Sequence, residues 1–142
     1  MTMALKDDLR GAGFRGEIQV EVPLAPMTTW RIGGPAEVLA TPVDVDDVSR
    51  AIAWANGRGV AWRVLGNGSN LLVRDGGVRG LVLRIRRVLD RIEIEGSNVI
   101  VGVGASFPGL ANAAADLGLA GIEFGAGIPG SVGGAIVMNA GW

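Results

Sequence analysis

The chain has no cysteine and no histidine in its 142 residues. Without cysteine there is no disulfide, no thiolate nucleophile and no cysteine-based zinc site. Without histidine the commonest general base and metal ligand is missing as well, so no metal site is expected. Any chemistry must rest on something other than a histidine- or cysteine-centred site. An excess of charge of one sign is also lacking. Thirteen basic residues face 14 acidic ones, for a net charge of −1. A nucleic-acid binder usually carries a strong basic excess, so no nucleic-acid partner is expected. Lysine is almost absent: Lys6 stands alone among arginines. Arginine's planar fork suits carboxylates and phosphates, and a GC-rich genome produces the same skew. Sustained Leu/Ile/Phe runs are missing too. Residues 97–115 and 124–142 are uncharged and long enough to span a bilayer. Both are broken by Gly, Pro and Asn and lack the apolar content that insertion needs, so no membrane span is expected. Residues 1–10 carry Lys6, Asp7, Asp8 and Arg10 with no apolar core behind them, which is not a secretory signal. A soluble, cytoplasmic protein is expected.

Glycine is what the chain has in abundance. It supplies 24 of the 142 residues, against a usual share of about 7%, and without the strict three-residue period of collagen. Hydrophobic residues make up 49% of the chain, which excludes general disorder. The length allows one domain or two small subdomains with a real core.

The periodicity predicts a short helix over 4–10. A strand follows over 18–22, with Ile18, Val20 and Val22 on one face. A loop closes on Gly33-Gly34-Pro35, and a strand covers 36–40. Residues 44–58 carry the clearest helical pattern. Asp44 caps the helix and Asp47 sits in its electropositive first turn. Val48, Ala51, Ile52 and Ala55 form the buried face, and Gly59 is the stop. Strands are predicted over 62–65, 71–73, 81–85 and 98–103. Between the last two, Ile92 and Ile94 alternate with charged residues. Ser106 caps a helix through Leu117, with Pro108 in its first turn and Gly118 after it. The strand-helix-strand start suggests a parallel pair, and the later strands with tight turns suggest antiparallel pairing. The fold class is α+β, in two subdomains with a boundary near Arg86.

The glycines cluster in two places. In the first, Gly66-Asn67-Gly68-Ser69-Asn70, glycine lets backbone amides face a common concavity and lets an anion come close. Ser69 and Asn70 add donors. An ordinary turn between strands explains the same residues, because Asn-Gly is a strong hairpin signal. In the second, Gly125-Ala126-Gly127-Ile128-Pro129-Gly130 matches the dinucleotide pattern G-x-G-x-x-G. The Rossmann reading fails, since it needs a helix directly after and an acid about 20 positions on. No Asp or Glu follows Glu123, and Pro129 stands where the crossover helix should begin. A Walker A loop is excluded by the absence of Gly-Lys-Ser/Thr. What remains is a helix starting at Pro129-Gly130-Ser131 and running to about Met138. Free amides at such a start make an anion site. Gly133 and Gly134 cost that helix about 1 kcal/mol each relative to alanine. A flat ligand or another backbone pressed against the face would explain the cost, and so would close helix–sheet packing without a ligand.

Three segments in order carry a resemblance. They are Thr28-Thr29-Trp30-Arg31-Ile32-Gly33-Gly34-Pro35-Ala36, then Leu65-Gly66-Asn67-Gly68-Ser69-Asn70-Leu71-Leu72-Val73, then residues 125–141, GAGIPGSVGGAIVMNAG. Together they closely resemble the N-terminal part of the bacterial UDP-N-acetylenolpyruvoylglucosamine reductases. These are flavoenzymes of peptidoglycan synthesis in the vanillyl-alcohol-oxidase-like (PCMH-type) FAD-binding superfamily. The resemblance runs from about Val20 to the end. It implies two FAD-binding subdomains, 1–86 and an incomplete 87–142, with the flavin between them and the substrate domain absent. It implies that Gly66, Asn67, Gly68, Ser69, Asn70 and Leu71 cradle the FAD pyrophosphate. Ile128, Pro129, Gly130, Ser131, Gly133 and Gly134 would line the other side of the cofactor, with Gly104 and Ala105 beside them.

The family's reaction passes hydride from NADPH to the flavin and on to the enolpyruvyl double bond of a UDP-sugar. A serine then supplies a proton, and an Arg and a Glu steady the developing charge. Those three residues lie further along the family's chain, so no catalytic residue carries over. Ser131 and Arg31 belong to the cofactor-binding motifs. Trp142 departs from the pattern, where a small residue, then Tyr and Gly, usually follows. The resemblance implies that this chain alone binds FAD at best. Two other readings stand beside it. One is a different untethered FAD-dependent oxidoreductase of the superfamily. The other is a non-enzymatic module holding another nucleotide.

Overall fold

The alternation of Ile18, Val20 and Val22 becomes strand β1 (Glu17–Pro23), in which Ile18 is buried while Gln19 and Glu21 face solvent. It follows helix α1 (Thr2–Gly11) and pairs antiparallel with β2 (Pro35–Thr41). Helix α2 (Val45–Arg58) starts at the expected cap: the Asp44 side chain accepts the N–H of Asp47. It stops at Gly59 in the left-handed conformation, φ +64°. Strands β3 (Trp62–Leu65) and β4 (Val78–Arg84) follow. The sheet order is β1-β2-β4-β3, and β4 runs parallel to both of its neighbours. These elements form the unit Met1–Ile85; the second unit is Arg86–Trp142. The computed structural model describes residues 2–85 and 88–141, so the boundary expected near Arg86 and the departure at Trp142 lie outside the described residues.

Two expectations are corrected in the first unit. The later strands do not all pair antiparallel, because β3 and β4 are parallel. Parallel neighbours cannot be joined by a hairpin and need a longer crossover. Residues 66–77 make that crossover, and residues 71–73, despite their Leu-Leu-Val composition, lie in it outside any strand. Asn67-Gly68 is therefore not a hairpin turn.

Both faces of the sheet are covered, as parallel strands between layers require. On one face Ile18, Val38, Ala40, Leu81 and Leu83 pack with Leu9 of α1 and Ala51, Trp54 and Ala55 of α2. On the other, Leu39, Leu65 and Val82 pack with Leu24 and Ala36 and reach Met27 and Val73. The β2–β4 register shifts between Ala36 and Val38, which puts these two residues in different cores although they are two positions apart. Glu37, buried at the shift, accepts the N–H of Gly80 at 2.9 Å, so a buried donor is satisfied by a side chain.

The second unit holds the antiparallel pair β5 (Ile92–Glu95) and β6 (Asn98–Val101). Helix α3 (Phe107–Asp116) is capped by Ser106, whose hydroxyl accepts the N–H of Gly109. A 3-10 turn (Glu123–Gly127) and helix α4 (Val132–Val137) complete it. Its core is Ala105, Phe107, Leu110 and Val132, with Phe124 edge-on to Phe107 at 5.8 Å between ring centres. Among the described residues no helix is long and apolar enough to cross a membrane.

Candidate functional site

Strand β3 ends at buried Leu65, and the chain turns at once into Gly66, Asn67, Gly68, Ser69, Asn70 and Leu71. The loop thus lies at the carboxyl end of a parallel strand, where ligands of open sheets with helices are commonly held. Gly68 is its fixed point. Its φ is +68°, and a Cβ built there would collide with the carbonyl oxygen of Met27. Beside it the N–H of Thr29 donates to the Gly68 carbonyl at 3.1 Å. Gly68 is buried, Gly66, Asn67 and Ser69 are half-buried, and Asn70 and Leu71 are exposed. The absent side chain of Gly68 was expected to admit an anion; the gap is instead filled by the Met27 backbone.

The donor set fits a diphosphate. Asn67, Ser69 and Asn70 carry neutral donors, and Arg31 and Arg74 lie on the adjoining stretches of chain. No acid occurs between Glu21 and Glu37 or between Asp47 and Asp75. No carboxylate of these two stretches would repel an anion at the loop.

In the second unit the structure brings residues 103–107, which include Gly104 and Ala105, alongside residues 130–133. Ser106 and Ser131 form an isolated antiparallel bridge. Around it, Phe107 N–H donates to Gly130 at 3.0 Å and Val132 N–H to Ala105 at 2.9 Å. Ile128 packs on the Phe107 core, Pro129 is exposed and Gly130 half-buried. Ser131 is buried, and its hydroxyl accepts the N–H of Gly134 at 3.2 Å. The N–H of Gly133 donates to the Val103 carbonyl at 2.9 Å.

The expected free amides at this helix start are therefore not free. Those of Val132, Gly133 and Gly134 are committed inside the unit, and α4 has only 6 residues. The absence of a side chain at Gly133 also finds its reason. A Cβ there would lie 3.0 Å from both the Cβ and the carbonyl oxygen of Val103. Close backbone packing, rather than a flat ligand, accounts for that glycine. Glu123 accepts the Gly121 N–H at 2.9 Å. Its own backbone amide and that of Gly121 hold its carboxyl below the ordinary 4.5, so a fixed negative charge stands at the entry to the 3-10 turn.

The sequence marks residues 28–36 as a motif of the resemblance, with Arg31 in it, but assigns none of them a cofactor contact. The structure places the start of this stretch directly behind the 66–71 loop, through Gly68 and Thr29. The glycine pairs Gly33-Gly34 and Gly76-Gly77 were the available signal: a Cβ at Gly34 would strike the Asp75 carbonyl, and one at Gly77 the Pro35 carbonyl.

The family model described as "FAD binding domain" matches residues 36–142. UDP-N-acetylenolpyruvoylglucosamine reductase of Desulforamulus reducens is 49% identical over 127 residues, covering 89% of this chain and 42% of the relative. The crystal structure of UDP-N-acetylenolpyruvylglucosamine reductase from Thermus caldophilus superposes with a TM-score of 0.68 at 39% identity, over 90% of this chain and 43% of that one. A solvent-stable cholesterol oxidase shares the fold at 20% identity, with a TM-score of 0.56 over 74% of this chain and 21% of its own. The chain spans less than half the length of these proteins. The architecture is the FAD-binding fold of the vanillyl-alcohol-oxidase type, mixed α and β. With the family match running from β2 to the last residue, this chain belongs to the FAD-binding domain family.

Proposed function

We propose that this chain is the FAD-binding region of a UDP-N-acetylenolpyruvoylglucosamine reductase, acting in the cytoplasm in peptidoglycan synthesis. The observation that carries the reading is the Gly66–Leu71 loop, pinned at Gly68 on the carboxyl end of β3 and supplied with donors but no acid. In this reading Gly66, Asn67, Gly68, Ser69, Asn70 and Leu71 hold the FAD pyrophosphate. Gly104, Ala105, Ile128, Pro129, Gly130, Ser131, Gly133 and Gly134 form the second set of cofactor contacts. Residues 1–86 and 87–142 are then the first and second FAD-binding subdomains. Bound FAD supplies hydride transfer, between NADPH and the enolpyruvyl double bond of the UDP-sugar. The chain's own residues do the rest available to them: they bind the diphosphate and fix the cofactor's position. The extent of identity to the Desulforamulus reducens reductase supports the same assignment.

The test is a visible spectrum of protein purified without added flavin, followed by titration with FAD. Flavin absorption bands, or saturable quenching of flavin fluorescence, are expected. A folded sample showing neither would overturn the reading.

A further inference from the structure

We propose that Thr28 is a positioning residue for the 66–71 loop: its hydroxyl shapes the strap on which that loop rests. The inference rests on the proposed role of the loop in holding FAD and adds a residue outside it. Thr28 is one of few buried polar residues, at 4% exposure. Its Oγ1 lies 3.2 Å from the carbonyl of Ala25 and 3.2 Å from that of Ile32. The single hydroxyl proton is shared between the two ends of one short segment, tying it into a closed bend. The Thr28 carbonyl also accepts the N–H of Arg31 at 3.2 Å. Arg31 sits at φ +54°. A non-glycine residue there is strained and persists only where its surroundings over-determine it. The bonds from Thr28 supply that constraint.

The backbone of this strap then sets the loop. The N–H of Thr29 holds the Gly68 carbonyl at 3.1 Å, and Gly68 lies flat on the Met27 carbonyl. At the loop's exit the N–H of Gly34 donates to the Arg74 carbonyl at 3.0 Å. All of these contacts are made by main-chain atoms. The loop's shape therefore depends on the strap keeping its own bend. To the main-chain bonds of that bend, Thr28 N–H to Ala25 and Arg31 N–H to Thr28, the Thr28 hydroxyl adds the link from Ala25 across to Ile32.

Thr28→Val removes the hydroxyl and keeps the shape; Thr28→Ser keeps the hydroxyl. In the FAD-free chain, Thr28→Val is expected to speed amide hydrogen exchange over residues 66–74 about tenfold while sparing the β2–β4 core. FAD affinity is expected to fall about tenfold or more. Thr28→Ser should stay within about twofold of the unchanged protein on both readouts. Asp8→Ala serves as the stability control. It breaks the Asp8 bonds to Trp54 and Arg58, at 2.9 and 2.7 Å, and is expected to leave both readouts unchanged. Unaltered exchange in Thr28→Val overturns the inference. So does a Thr28→Ser variant as defective as Thr28→Val, or an Asp8→Ala variant that loosens residues 66–74 equally. Should the unchanged protein take up no FAD while Thr28→Val still loosens the loop, the cofactor reading falls and the strap's control of the loop stands. Should it bind FAD, and Thr28→Val bind as tightly, the positioning role falls.

Discussion

Gly68→Val is expected to lower FAD affinity about a hundredfold or more, roughly 2.7 kcal/mol, in a chain that still folds. Two effects act together at this position. The backbone stands at φ +68°, where a β-branched residue is a genuine outlier. The new Cβ would also collide with the Met27 carbonyl oxygen and press on the Thr28 Cα. A flexible side chain could yield, but a backbone tied down by Thr28 cannot. The loop must lift off the strap, giving up the Thr29 to Gly68 bond and carrying Asn67, Ser69 and Asn70 out of place. The core under α1 and α2 lies on the opposite face of the sheet from Met27 and Val73, so far-UV circular dichroism should be nearly unchanged. Gly68→Ala meets the same collision with a smaller φ penalty and should fall between. Full flavin content in a folded Gly68→Val sample would mean that the loop is only a connection.

The elements that local patterns specify were legible in the sequence. The Asp44 cap, the Gly59 stop and the Ser106 cap each depend on residues within one turn of each other, and all appear as expected. Pairing was less legible, since β4 enters between β2 and β3 and periodicity says nothing about which strand a segment will find. Residues 71–73 have strand composition yet lie in a crossover, because the β3–β4 ladder is parallel and needs the length. The candidate site divides in the same way. The loop's glycines, and its order relative to residues 125–141, stood in the sequence. Their physical reasons did not, because Gly68 answers to Met27 and Gly133 to Val103, partners remote along the chain. The amides of residues 132–134 seemed available only because Val103, Ala105 and the Ser131 hydroxyl could not be seen to take them.

Asp47 is the position where the local pattern understated most. A first-turn acid on a helix is usually a solvated charge worth a few tenths of a kcal/mol. Here its side chain is fully buried. It accepts the N–H groups of Gly16, Arg15 and Val43 at 2.9, 3.1 and 3.2 Å, and the Arg15 Nε at 3.2 Å. The Arg50 guanidinium stands 3.8 Å away. One carboxylate thus joins the approach to β1 with the start of α2. Asp47→Asn leaves one oxygen for four donors and turns an amide N–H toward the others. The expected loss is about 3 kcal/mol, which lowers Tm by roughly 10 °C or more for a unit of this size. Acid titration gives an independent signature. Burial pushes the Asp47 carboxyl up, but the bonds from Arg15, Val43 and Gly16 outweigh it and hold the group below the ordinary 3.8. Asp44 is held low as well, by the Asp47 N–H and the Arg15 guanidinium. A depressed carboxylate stabilises the fold fully above its unfolded-state value and loses that contribution as pH falls through the folded one. The gap between the unchanged protein and Asp47→Asn should therefore be widest near neutral pH and narrow below about pH 4. Urea unfolding followed by tryptophan fluorescence reads this directly, since Trp30, Trp54 and Trp62 all lie in the first unit. A stability difference under about 0.5 kcal/mol at neutral pH, the range of ordinary surface substitutions, would show that Asp47 is not the anchor its hydrogen bonds describe.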